Sequence, residues 1–212
     1  MTIRVLLADD HAVVRDGLRS LLQAAGIEVV GAVGGGREAV RLALELRPDV
    51  ALIDIAMPDM NGIEAARLLR ERWPDARIVV LSMHANAEHV HRALAAGAAG
   101  YVLKESAGAD VVAAVRAVHA GKRYLSAPLA QLEHDAAVRA DAAGPLARLS
   151  ARERQVLQLV AEGHSSAAIA ARVHLSPKTV ETYRSRVMKK LGVRDTAALV
   201  KFAIQHGITA LD

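Results

Sequence analysis

Cysteine is absent from this 212-residue chain. That excludes disulfides and thiolate metal ligation, and it fits a reducing compartment. Aromatic residues make up only 2% of the chain, so any core must be assembled from Ala, Val, Leu and Ile. No apolar run reaches membrane-spanning length, and Met1-Thr-Ile-Arg4 lacks the charged-then-apolar pattern of a secretory leader. From these absences we expect a cytoplasmic protein with no membrane partner. What remains is a globular composition, 52% hydrophobic and 24% charged, long enough for one large domain or two smaller ones.

The net charge of +4 is unevenly placed. Residues 146–212 carry 11 Lys and Arg against 5 Asp and Glu, a balance of +6, whereas residues 1–145 carry 16 against 18. A small basic segment behind a slightly acidic body points to a polyanionic partner for the C-terminal part alone.

In the first half, apolar runs alternate with segments of helical spacing. Ile3–Ala8, Ile27–Val33, Val50–Asp54, Arg77–Ser82 and Gly100–Leu103 read as strands. Five strands alternating with five helices argue a doubly wound, five-stranded parallel sheet. Asp9, Asp10, Asp54, Ser82 and Lys104 all fall at the carboxyl end of a strand, where open parallel sheets bind ligands. One such residue would ordinarily be a turn cap or a solvated charge. Five at equivalent places point to a shared site.

The residue types suggest its chemistry. Clustered carboxylates from Asp9, Asp10 and Asp54 repel one another unless a hard divalent cation neutralises them, and oxygen-only ligation suits Mg²⁺. Lys104 offers a cation and Ser82 a hydroxyl to phosphoryl oxygens, which leaves Asp54 as an acceptor nucleophile forming an acyl phosphate. Two other features are given ordinary readings. Gly34-Gly35-Gly36 lacks the Lys-Ser/Thr of a phosphate-cradling loop and reads as a flexible strand-to-helix turn. His84, His89 and His91 read as solvated helix residues.

Asp9-Asp10, Asp54-x-x-Met-Pro-x-x-x-Gly62, Ser82 and Gly100-Tyr-Val-Leu-Lys104 together resemble the receiver domain of two-component response regulators. The resemblance spans residues 3–121. It implies flavodoxin-like strand order, phosphotransfer from a sensor histidine kinase onto Asp54, and Mg²⁺ held by Asp10, Asp54 and the backbone carbonyl of Ala56. It also implies that Ser82 and Tyr101 move as a switch. Ala56 departs from the polar residue many receivers carry there, which implies slower loss of the phosphoryl group.

Residues 124–147 read as a linker between a receiver at 1–123 and a second domain at 148–212, with one marginal helix over Pro128–Ala140 through Leu129, Leu132 and Val138. The second domain reads as four short helices. Ser150-Ala-Arg-Glu153 is a capping box, Ser165, Ser176-Pro177 and Asp195 are further helix starts, and a tight turn falls at His174-Leu175. On the third helix Val180, Val187 and Leu191 form an apolar stripe. Lys178, Thr182, Ser185 and Lys189 lie opposite it, with Glu181 and Arg186 at the margins. A basic helix after a tight turn fits the major groove of double-stranded DNA.

Leu149-Ser-Ala-Arg-Glu-Arg-Gln-Val-Leu157, Leu175-Ser-Pro-Lys-Thr-Val180 and Lys190-Leu-Gly-Val193 resemble the LuxR-type helix-turn-helix. With the receiver in front, the chain resembles NarL/FixJ-family response regulators, which act as homodimers when phosphorylated. That resemblance implies phosphate contacts from Lys178 and Thr179, and base contacts from Glu181, Thr182 and Ser185. Glu181 could instead pair with Arg184 or Arg186. The expected function is phosphorylation-dependent transcription regulation, not enzymatic turnover. A metal-dependent phosphatase with an Asp nucleophile is disfavoured by Ala56, which stands where a second acid is needed. An adaptor that has lost DNA binding is the other rival, motivated by Ala167, Ala168 and Glu181.

Overall fold

The computed structural model describes residues 2–83, 87–129 and 145–209. It divides into two compact units, Met1–Ala140 and Asp141–Asp212. The linker helix expected over Pro128–Ala140 lies outside the described residues beyond Leu129, as does His84.

In the first unit β1 (Arg4–Ala8), β2 (Glu28–Val33), β3 (Val50–Asp54), β4 (Ile78–Ser82), β5 (Gly100–Leu103) and β6 (Tyr124–Leu125) form one parallel sheet in the order β2-β1-β3-β4-β5-β6. Every residue of β3, β4 and β5 is buried. Covering a sheet on both faces demands such unbroken apolar runs in place of alternation. Side chains still alternate between two cores. Leu6, Ala8, Ala51, Ile53, Ile78 and Val80 pack with α2 (Gly36–Leu46), α3 (Gly62–Arg72) and α4 (Ala87–Ala95). Val5, Leu7, Val50, Leu52, Val79 and Leu81 pack with α1 (Ala12–Ala24) and α5 (Ala107–His119). Alanines at 39, 43, 65, 66, 93 and 114 are fully buried, so the helices approach the sheet closely without aromatic filler.

Three features differ from the sequence reading. The sheet has a sixth strand, because the chain turns at Gly121 (φ 77°) and lays Tyr124–Leu125 along Gly100–Tyr101. The Tyr124 amide donates to the Ala99 carbonyl and the Ser126 amide to the Tyr101 carbonyl, each at 3.1 Å. Two residues are too few to display any periodicity. Gly36 is less a flexible turn than a close approach, since a Cβ there would stand 2.2 Å from the Met60 carbonyl oxygen. His89 is buried at 2% exposure on α4, not solvated, whereas His91 is exposed as expected. Position 89 lies one and two helical turns before the core residues Ala93 and Ala96, and so falls on the inward face of that helix.

The second unit comprises α6 (Ala151–Ala161), α7 (Ser166–Val173), α8 (Pro177–Leu191) and α9 (Thr196–Gln205). Each start is capped by a side chain: Ser150 accepts from the Glu153 amide, Ser165 from Ala168, Ser176 from Thr179 and Asp195 from Ala198. Glu153 also accepts from the Ser150 amide at 2.7 Å, completing the capping box. The α7–α8 turn is made at His174, which takes left-handed backbone (φ 54°). Leu157, Ile169, Val173, Val180, Val187 and Leu199 join the helices in one apolar core.

Candidate functional site

β1 and β3 are neighbours at the point where the sheet's order reverses, and the crevice outside their carboxyl ends holds the clustered acids. Strand register sets the rest. Asp54 pairs with Leu81, and Ser82 with Leu103, so the last residues of β3 and β4 and the first residue after β5 emerge side by side. Asp9 and Asp54 are 0% and 1% exposed, whereas the Asp10 side chain keeps 30% exposure at the mouth. Behind Asp54 the chain folds so tightly that a Cβ at position 62 would lie 2.0 Å from the Asp54 carbonyl oxygen. Only glycine fits there. Asn61 then starts α3 by accepting from the Glu64 amide at 3.0 Å.

Lys104 closes the pocket. Its Nζ lies 2.8 Å from Asp9 Oδ2 and 2.8 Å from Asp54 Oδ2, with the side chain only 8% exposed. Burial opposes its charge, but the two carboxylates prevail and raise its pKa. For Asp54 the balance runs the other way. Burial above all, with Asp9 and Asp10 adding to it, outweighs the pull of Lys104 and raises its pKa from 3.8 to about 6. Asp54 Oδ1 is buried with no hydrogen-bond partner among the described residues. Three carboxylates face the Lys104 ammonium here, an excess of negative charge that a divalent cation would offset.

Tyr101, inside β5, is fully buried. Burial pushes its phenol up to about 12, and its hydroxyl is hydrogen-bonded with Ser82. The two residues expected to act as a switch are therefore joined directly. Ala56 sits in the loop after β3, half-buried, with no polar side chain to offer.

Two pocket residues escaped the sequence reading. The His11 amide donates to Asp9 Oδ1 at 2.9 Å, and its Nδ1 stands 2.8 Å from Asp10 Oδ1. Arg15 reaches back to donate to the Asp9 carbonyl at 2.6 Å. For His11 the signal was adjacency to the two acids. For Arg15 it was the position one helical turn beyond His11.

On α8, Lys178, Glu181, Thr182, Ser185, Arg186 and Lys189 are all exposed, as their helical spacing requires. Thr179 is half-buried, and its hydroxyl lies 2.7 Å from that of Ser176. Thr182 donates to the Lys178 carbonyl at 3.0 Å. Glu181 accepts from the Ser166 hydroxyl and pairs with Arg184 at 3.2 Å, while Arg184 also donates to Ser166 and Thr196. Arg184 thus ties three helices together, and the acid beside it is drawn toward α7. Under the helix, Glu153 (4% exposed) meets Lys190 at 2.7 Å, and the hydrogen bonds from Lys190 and Ser150 overcome burial to hold its carboxyl below the usual range.

Residues 5–116 match the response regulator receiver domain, and residues 147–203 match the bacterial regulatory proteins of the luxR family. The chain belongs to the response regulators. Among its relatives, response regulator GacA of Pseudomonas aeruginosa is 39% identical over 216 residues, covering 97% of each chain. Response regulator UvrY of Escherichia coli K12 is 37% identical over 208 residues, covering 97% of this chain and 95% of that one. A Salmonella enterica RcsB structure, bound to promoter DNA in the presence of the phosphomimetic BeF3−, is 29% identical. It covers 99% of this chain and all of its own, with a TM-score of 0.61. A LuxR-family response regulator from Aurantimonas matches 65% of this chain at 39% identity and a TM-score of 0.63. This response regulator therefore pairs a parallel α/β receiver with a helix-turn-helix unit for DNA-binding transcription regulation. No helix among the described residues is long and apolar enough to cross a membrane.

Proposed function

We propose that Asp54 is the phosphoacceptor and that its phosphorylation by a sensor histidine kinase governs DNA binding by α8. The single observation that carries this reading is the buried, cation-deficient carboxylate of Asp54, ion-paired to Lys104 on one oxygen and unpartnered on the other. Transfer breaks the phosphorus–nitrogen bond of a phosphohistidine and forms a phosphorus–oxygen bond to Asp54, with the imidazole leaving. Asp54 must be ionised to attack, and Lys104 favours that form.

The donor set fits Mg²⁺. Asp10 and Asp54 would supply oxygen ligands with Asp9 behind them, and the backbone carbonyl of Ala56, on the loop after β3, would supply another. When bound, the cation neutralises the pocket and screens the phosphoryl charge. Within the chain, Lys104 turns from a carboxylate partner to a partner for phosphoryl oxygens. Ser82, drawn to the same oxygens, leaves Tyr101, and the β5 face is remodelled.

On the second unit, Lys178 and Lys189 meet phosphates. Thr179 contributes through the helix start it shares with Ser176. Thr182, Ser185 and Arg186 face the groove. Glu181 is engaged by Arg184 and Ser166, so its role is to position rather than to read a base. Phosphorylated chains act as homodimers on paired half-sites in the cytoplasm.

The test is DNA affinity with and without acetyl phosphate or beryllofluoride, in Mg²⁺, for the native chain and Asp54→Asn. Tighter binding by the treated native chain alone is expected. Equal affinity of the two chains under treatment defeats the switching claim.

A further inference from the structure

We propose that the open groove between α2 and α3 is a docking site for an acidic amphipathic helix of a partner protein. The inference concerns the first unit alone and does not depend on phosphorylation of Asp54.

The groove holds about 460 Å³, and its lining comes from α2, α3 and Met60, with no strand residue. From Arg37 to Glu45 it follows α2 for about 12 Å. Val40, Leu44, Met60 and Leu68 form its floor. The last three pack on the core beneath yet stay half-buried, so one side of each is left without apolar cover. Val40 and Leu44 stand one helical turn apart, as do Arg37 and Arg41, and Leu68 and Arg72. Such rows are the ridges between which a further helix packs. The groove is also preformed. A Cβ at Gly36 would stand 2.2 Å from the Met60 carbonyl oxygen, so the first turn of α2 is pressed against the loop leading into α3 and the width is fixed at that end. A surface already in place lowers the ordering cost of binding.

Charge selects the occupant. Arg37, Arg41 and Arg72 line the groove and are exposed. Arg41 is paired at 2.9 Å with Glu45, the one acid in the lining. Arg37 and Arg72 have no ion-pair partner among the described residues. The groove therefore offers two unpaired cations, although residues 1–145 are acidic as a whole, with 16 Lys and Arg against 18 Asp and Glu. A helix whose apolar stripe is flanked by carboxylates meets both features at once, its stripe on the floor and its acids on the arginines. A nucleotide does not, because the lining has no aromatic ring and no hydroxyl or amide side chain to hold a base. A DNA backbone would satisfy the arginines but lay phosphates over the apolar floor.

The probe is a fluorescent synthetic helix of about 15 residues with leucines at i, i+4 and i+7 flanked by glutamates, and its control carries lysines in place of the glutamates. Anisotropy follows its binding to the full-length chain without a phosphodonor. Native protein is compared with Arg37→Ala/Arg72→Ala and with Lys122→Ala/Arg123→Ala, which removes the same charge from exposed positions just before β6. All four side chains are exposed, so both variants keep the fold, and the Met60 methyl resonance of the native chain gives a second readout. Expected are a tenfold or greater loss of affinity in the first variant, less than twofold in the second, no binding of the lysine helix, and a shifted Met60 methyl beside an unmoved Met188. Equal affinity of all three chains overturns the proposal, as does equal loss in both variants, which marks unspecific attraction, or an unmoved Met60. Duplex DNA that weakens in the first variant as much as the peptide overturns it in favour of a nucleic-acid surface. Peptide affinity that falls as chain concentration rises overturns it in favour of a second copy of this chain.

Discussion

Replacing Asp54 with asparagine should stabilise the first unit at neutral pH in the absence of divalent metal. The fold raises the Asp54 pKa from 3.8 to about 6. At about 1.4 kcal/mol per pKa unit, that rise corresponds to about 3 kcal/mol against the ionised form. Because the folded pKa lies above the unfolded one, the cost is absent below 3.8 and develops fully as pH rises through about 6. Asparagine mimics the protonated acid and leaves Lys104 paired with Asp9, so it avoids the cost throughout. Thermal unfolding in EDTA should show Asp54→Asn melting about 5–10 °C above the native chain at pH 7.5. At pH 4 the difference should shrink to less than about 1 kcal/mol. Saturating Mg²⁺ at pH 7.5 should also narrow it by stabilising the native chain alone. A variant no more stable than native at pH 7.5, or a gap that is the same at both pH values, would refute the electrostatic account of the pocket.

Gly62→Ala should lower acetyl phosphate labelling of Asp54, because its Cβ can be housed only by displacing the Asp54 carbonyl 2.0 Å away; intact labelling, followed by mass spectrometry, contradicts this. Glu181→Lys should tighten DNA binding and steepen its salt dependence by up to about one unit of log–log slope, measured as affinity against salt. Glu153→Ala strips a capping box and removes the ion-pair partner of Lys190, and should cost the second unit about 2–3 kcal/mol by urea unfolding. Ala56→Asn should shorten the lifetime of the phosphoryl group, read by the decay of phosphate label from the purified protein.

Much of this architecture was legible because a parallel sheet leaves a strong trace. Val50–Asp54 and Ile78–Ser82 are buried on both faces, so they appear as apolar runs ending in a polar residue. The caps of the second unit were legible for a related reason. Ser150, Ser165, Ser176 and Asp195 accept from amides only three residues away, so their partners lie within the same short motif. What stayed hidden depends on contacts distant in sequence. Ser126 Oγ accepts from the Leu103 amide 23 positions away, and Lys190 reaches Glu153 across 37. Nothing near either residue announces its partner. His89 misled because histidine's polarity says little about burial when its helix turns that position inward. Glu181 was legible as a choice between two roles, and its neighbours Ser166 and Arg184 decide it.

The sixth strand has a mechanical consequence. Leu129 is fully buried in the same core as Tyr101, and Ser126 is laced to β5 by two hydrogen bonds. About ten residues beyond the end of α5 are therefore moored to the sheet. A pull applied at Leu129 is therefore felt by the strand that carries Tyr101.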